Sequence, residues 1–150
     1  MDYKEINGRE SIPDDAGTHD PIALLSNAAA VLKEEMEDVT WVGFFRVKGR
    51  KLVIGPYQGE IRISECPVGT GAKGIAARDD RTLAVPDVHA MAEYCIDEED
   101  TRSVIAVPVH RHGRLYAILF LESGSRGRFT DADARGLEEF SSILTKQLDS

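Results

Sequence analysis

Hydrophobic and polar positions divide the chain into an unpatterned start and a strongly patterned remainder. Through Thr18 the sequence includes Gly8, Pro13 and Gly17 and sustains no period. Residues 1–19 therefore read as a loosely ordered tail and residues 20–150 as a single domain. Asp20 followed by Pro21 marks a helix start, because a carboxylate accepts orphan N–H groups and a proline lacks only an N–H that would go unpaired. Ile22, Leu25, Ala29, Leu32 and Met36 then recur at intervals of three and four, giving one apolar stripe. Such a stripe packs on a sheet or on a partner helix. Periodicity leaves both open, including a homodimer through the terminal helices.

At Thr40 the pattern changes to β. Residues 40–47, Thr-Trp-Val-Gly-Phe-Phe-Arg-Val, are aromatic and β-branched, and Lys48-Gly49-Arg50 reads as a hairpin turn before Leu52-Val53-Ile54. Gly55-Pro56 is expected to end that strand, with Ile61-Arg62-Ile63 as a third. Gly69-Thr70-Gly71-Ala72-Lys73-Gly74 leads into a short helix from Ile75 to Arg78, and Leu83-Ala84-Val85 is a brief strand stopped by Pro86-Asp87. After a long loop, residues 87–102, a second and strongly apolar hairpin runs from Ser103 to Val109 and from Leu115 to Leu121. Thr130 caps a last helix whose buried side is Leu137, Phe140, Ser141, Leu144 and Leu148. Hairpin connections predict an antiparallel sheet in an α+β domain, with the N- and C-terminal helices on one face. The opposite face falls to the long loop and the small helix, where a small-molecule pocket can form.

Charge changes this picture by its distribution. The chain carries 26 acidic and 18 basic side chains, a net charge of −8. Residues 1–20 hold six acids and two bases, and residues 93–100 hold Glu93, Asp97, Glu98, Glu99 and Asp100 with no base, so the rest of the chain is nearly neutral. This balance excludes a typical nucleic-acid binder and attachment to an anionic membrane surface. No apolar run approaches the ~20 residues that span a bilayer, and Met1 to Asp20 is unlike a secretory signal, so a cytoplasmic location is expected. Two cysteines, Cys66 and Cys95, make no disulfide framework. His110 and His112 lack further ligands at a recognisable spacing, so neither a metal nor a cofactor is implied.

Three segments carry a family likeness: Pro67-Val-Gly-Thr-Gly-Ala-Lys-Gly-Ile-Ala-Ala77, Val85-Pro-Asp-Val88, and Thr101-Arg-Ser-Val-Ile-Ala-Val-Pro108 with Phe129-Thr-Asp-Ala-Asp133. In this order they resemble a GAF domain. Trp41-Val-Gly-Phe44, Leu52-Val-Ile-Gly-Pro56, Gln58-Gly59 and Pro86-Asp-Val-His89 narrow the likeness to the free methionine-(R)-sulfoxide reductases, stand-alone GAF enzymes. The resemblance implies a thiolate attacking the sulfoxide sulfur, a second cysteine that resolves the product, and acids that hold and protonate the oxygen. In register, the family's cysteines fall at Ile63, Lys73 and Asp97, and its acids at Val104, Phe120 and Glu122. Only Glu122 keeps a carboxyl group. Trp41 is retained in the apolar wall, and Phe45 replaces a tyrosine. Cys95 lies two residues from Asp97, among acids that raise a thiol's pKa.

These departures lead us to expect a stand-alone domain that binds a small molecule in a sensory or regulatory role and is catalytically degenerate. Its pocket would use Trp41, Phe45, Val104, Phe120 and Glu122, with His89, Tyr94, Cys95 and Asp97 from a lid over residues 89–97. The acidic segment predicts a neutral, zwitterionic or cationic ligand. One alternative is a divergent free methionine-(R)-sulfoxide reductase using Cys95; another is a structural dimerisation module with a filled pocket.

Overall fold

A computed structural model describes residues 20–62, 64–91 and 100–150, so the tail through residue 19 lies outside the described residues. The first helix, α1 (Pro21–Glu35), starts where its punctuation predicts. Asp20 accepts from the Ile22 N–H at 2.8 Å and from the Ala23 N–H at 3.4 Å. Its buried face is broader than the predicted stripe and comprises Leu24, Leu25, Ala28, Ala29, Val31 and Leu32. The 3.6-residue pitch puts Ile22 at the margin of that face, and Ile22 is 52% exposed.

Six antiparallel strands follow: β1 (Trp41–Lys48), β2 (Lys51–Gln58), β3 (Glu65–Pro67), β4 (Leu83–Val85), β5 (Ser103–Arg111) and β6 (Arg114–Ser123). They lie in the order β3-β2-β1-β6-β5-β4. Helix α2 (Gly71–Asp79) joins β3 to β4, a single 3-10 turn spans Val88–Ala90, and α3 (Asp131–Asp149) closes the domain. No helix among the described residues is long and apolar enough to cross a membrane.

Two local expectations are corrected. β2 does not stop at Gly55-Pro56. Gly43 pairs with Tyr57 and Phe45 with Ile54, so β2 carries one extra residue there and absorbs the Gly-Pro pair in a bulge. A bulge is where a strand tolerates a residue with no N–H. The third strand is Glu65–Pro67, paired to Lys51–Val53, and Ile61-Arg62 does not belong to it. Ile61 is 84% exposed whereas Arg62 is buried, the reverse of what their polarity suggests.

The strand alternation separates two cores. Val42, Phe44, Ile105, Val107, Ala117, Leu119 and Leu121 pack against α1 and the Leu137, Phe140, Leu144 and Leu148 side of α3. Trp41, Phe45, Leu52, Val104, Ala106, Ile118 and Phe120 form the other core with Ala72, Ala76 and Ala77 of α2 and with Val88. Phe129-Thr-Asp-Ala-Asp133 is a capping box. Thr130 Oγ1 accepts from the Asp133 N–H at 3.2 Å while the Asp133 carboxylate accepts from the Thr130 N–H at 2.9 Å. Because β4 is short, its pairing reaches only Ala106 of β5. Beyond it, Ser141 and Thr145 of α3 donate to the Pro108 and His110 carbonyls at 2.7 and 2.8 Å.

Gly43 sits opposite both Tyr57 and Phe120 in the centre of the second core. A methyl there would collide with the Trp41 ring and lie 2.5 Å from the Tyr57 Cβ. Gly43→Ala is therefore expected to destabilise the domain by about 1–3 kcal/mol, because neither ring can retreat in a packed core. Urea denaturation measures this directly.

Candidate functional site

The second sheet face builds the site. β1 supplies Trp41 and Phe45, β5 supplies Val104, and β6 supplies Phe120 and Glu122. Trp41 and Val104 stand on either side of Glu122, while Gly43 and Ala106 flank Phe120. The small residues beside Phe120 leave room for the rings to converge. Trp41 stacks on Tyr57 with centroids 5.3 Å apart and meets Phe45 at 5.7 Å; Phe45 and Phe120 meet edge to face at 6.0 Å. The indole N–H of Trp41 donates to the Glu60 carbonyl at 2.9 Å, which fixes the ring's roll. Gly59 makes that approach feasible. Its φ of +134° suits glycine, and a Cβ there would lie 2.5 Å from the indole Cδ1.

Two cations enter this aromatic face. Arg62 donates through Nε to both carboxylate oxygens of Glu122, at 3.3 and 3.2 Å, and its Nη1 donates to the Glu60 and Ile61 carbonyls. Thr101 Oγ1 donates to Glu122 Oε1 at 2.8 Å. Glu122 is 1% and Arg62 8% exposed, so this is a buried pair with several partners. Its guanidinium also lies 5.8 Å from the Trp41 ring centroid. The second cation, Lys73, comes from the first turn of α2. Its Nζ lies 4.3 Å from the Phe45 centroid and 4.8 Å from that of Phe120. A cavity of about 260 Å³ opens at the Glu122 end, lined by Thr40, Glu60, Arg62, Asp100, Thr101 and Gly124. A larger one, about 510 Å³, lies between β5 and α3 and contains none of the expected site residues.

Trp41, Phe45, Val104, Phe120 and Glu122 therefore share one sheet face, each at most 1% exposed, and neither of these two cavities is lined by any of them. His89 is exposed on the 3-10 turn, where its backbone N–H donates to Asp87 at 3.1 Å. Tyr94, Cys95 and Asp97 lie outside the described residues. Cys66 is buried on β3, with Sγ 3.5 Å from the Thr70 carbonyl oxygen. Sequence reasoning missed three participants. Arg62 was hidden by its apolar neighbours, and Thr101 figured only within a family segment. Lys73 figured within the glycine-rich lead-in to the short helix and as a position where a cysteine was lacking. The one signal in the chain was Lys73 itself, a charge in an otherwise small and apolar helix start.

An antiparallel sheet with two terminal helices on one face and a second, aromatic core with a buried ion pair on the other is the architecture of a GAF domain, and a GAF domain sequence profile matches residues 20–148. The chain belongs to the GAF domain family and, within it, to the family of the free methionine-R-sulfoxide reductases. It is 33% identical over 133 residues to the free methionine-R-sulfoxide reductase of Escherichia coli, covering 89% of this chain and 81% of that one. The reduced form of the corresponding Staphylococcus aureus protein superposes with a TM-score of 0.92 at 30% identity, over 99% of this chain and 96% of that one. The Neisseria meningitidis enzyme in complex with its substrate superposes with a TM-score of 0.88 at 34% identity, over 97% and 87% of the two chains. These relatives overturn the expectation of a sensory, catalytically degenerate domain. That expectation weighed individual cysteine positions, whereas the likeness to reductases extends over almost the whole domain.

The buried pair is expected to behave as a unit. Glu122→Leu alone leaves the Arg62 guanidinium buried without its carboxylate and is expected to cost about 3–5 kcal/mol; Arg62→Met combined with Glu122→Leu is expected to cost far less. Equilibrium denaturation of the two single variants and the double variant measures the coupling.

Proposed function

We propose that this chain reduces a small free sulfoxide, methionine (R)-sulfoxide, with Cys95 as the nucleophile. The observation that carries the reading is the full-length likeness to reductases of that substrate, combined with an aromatic wall at Trp41 and a retained carboxylate at Glu122. A thioether sulfur and its methyl group pack favourably on aromatic rings, and Trp41, Phe45 and Phe120 are the rings of this face. The buried Arg62–Glu122 pair marks the polar end of the site.

The Cys95 thiolate attacks the sulfoxide sulfur. With uptake of one proton, the oxygen passes to Cys95 as a sulfenic acid and methionine departs as the reduced thioether. An external dithiol completes the cycle. Its first thiol displaces water from the sulfenic acid to give a mixed disulfide, and its second thiol releases Cys95 while the dithiol becomes a disulfide. An external reductant fits the surroundings of Cys66, whose thiol is 1% exposed and lies against the Thr70 carbonyl. The substrate is a zwitterion, in keeping with the acidic segment over residues 93–100, which disfavours a simple anion.

Turnover of methionine (R)-sulfoxide with dithiothreitol or thioredoxin as reductant is the direct test. Wild type and Cys66→Ser are expected to turn over, while Cys95→Ser falls to the blank rate, a loss of roughly a hundredfold or more. Absence of turnover in wild type, or full activity in Cys95→Ser, would overturn the assignment. In the same assay at low salt, millimolar phosphate or nitrate is expected not to compete with the sulfoxide; competitive inhibition by either would show that the pocket accepts simple anions.

A further inference from the structure

The larger cavity, about 510 Å³, lies where the sheet runs out. β4 has three residues, and its ladder with β5 ends at Leu83 opposite Ala106. Residues 80–82, between α2 and β4, form one wall of the cavity; Val107, Pro108 and His110 of β5 form its floor, and α3 from Glu138 to Lys146 forms the other wall. Two side-chain links fix residues 80–82 in place. His110 Nε2 meets the Asp80 carboxylate at 2.8 and 3.1 Å, and Thr82 Oγ1 donates to Glu138 at 2.7 Å. A volume within roughly 300–1,000 Å³ is that of a small-molecule site. An added peptide strand fits poorly at this edge, because Pro108 has no N–H and the Pro108 and His110 carbonyls already accept from Ser141 and Thr145.

The charges around this cavity are unequally engaged. Both acids have partners, Asp80 in His110 and Glu138 in Thr82. Arg81 and Lys146 stand on opposite walls, are exposed, and make no ion pair among the described residues. Neighbouring Asp79 is bonded to Arg78 at 2.9 and 3.2 Å; those bonds chiefly hold its carboxyl below the ordinary range, and Arg81 adds only the pull of its charge. We propose that the cavity binds an organic anion, a carboxylate on an apolar body, with the acid group taken by Arg81 and Lys146 and the body laid on Val107 and Pro108. A guanidinium offers a carboxylate two parallel N–H donors, and the ammonium of Lys146 adds a second positive charge. A cationic ligand would meet two cations and two acids that are already occupied. A small inorganic anion would gain only exposed electrostatics, which salt screens. None of the lining residues belongs to the aromatic core, so this site is independent of the reductase reading.

Titration of the whole protein at low salt, followed by amide NMR, tests the site with 2-naphthoate and with its neutral counterpart 2-naphthylmethanol. Both probes are expected to shift the amides of residues 80–82 and 138–146, with the acid binding about threefold to tenfold more tightly, the span expected of exposed charge pairs. Arg81→Ala combined with Lys146→Ala is expected to bring that preference below about twofold while the alcohol binds as before. Lys48→Ala combined with Arg50→Ala removes two exposed cations outside the cavity and is expected to leave the preference intact. Ser142→Trp, which places a ring in the cavity, is expected to weaken both probes roughly tenfold or more. The same spectra report whether each variant folds; should one of the Ala pairs not fold, Arg81→Gln and Lys146→Gln, each alone, are expected to lower the preference partway. Four results overturn the assignment: no shift at these amides up to roughly 10 mM probe, equal affinity for acid and alcohol, a preference that survives the Arg81 and Lys146 changes, or equal loss in the Lys48 and Arg50 control. Turnover of the sulfoxide is a separate measurement, and its absence would leave this site untouched.

Discussion

The pairing of β1 with β6 in the middle of the sheet sets Trp41 opposite Glu122 and Gly43 opposite Phe120, and most of the remaining structure depends on that register. Side chains alternate strictly along a strand, so this pairing sends Val42, Phe44, Leu119 and Leu121 to the helices and Trp41, Phe45 and Phe120 to the site. A slip of one residue would exchange the two sets. Several features hold the register in place. The wall of rings requires Gly43 at its centre, the bulge in β2 brings Tyr57 under Trp41, and the Trp41 indole is tied to the Glu60 carbonyl. Folding the sheet and shaping the site are one event.

Polar groups on this face follow from the same geometry. Glu122 lies on a central strand with its carboxylate buried, a position that is tolerable only with partners. They come from two separate pieces of chain, Arg62 from the segment after β2 and Thr101 from the segment before β5. The pair therefore ties the edges of the sheet to its middle. Lys73 arrives from a third direction, the start of α2, and meets the faces of two rings. A face that looked acidic from the composition of residues 93–100 thus contains two basic side chains within its aromatic wall.

Missing cysteines at Ile63, Lys73 and Asp97 suggested a domain that had lost its chemistry. Yet attack on a sulfoxide sulfur needs one thiolate, and the resolving thiol can belong to another molecule. The likeness to reductases covers 89% of the chain by sequence and 99% of it by structure, which makes it the broader observation.

Much of the fold was legible in the chain because it is written in short-range pattern. Asp20-Pro21 and Thr130 begin their helices as their side-chain chemistry requires, and the Leu137–Leu148 stripe is buried residue for residue. Alternation in β1 and β6 placed Trp41, Phe45, Phe120 and Glu122 on one face. Where local pattern misled, a long-range contact had prevailed. Gly55-Pro56 reads as a terminator until pairing with β1 accommodates it in a bulge. Ile61-Arg62 reads as strand until Arg62 reaches Glu122, sixty residues away, and leaves Ile61 in solvent. Sequence by itself determined which residues face which way, because that depends on a period of two or 3.6. Only the tertiary structure decided which charges meet, because an ion pair depends on distance in space, to which separation along the chain is no guide.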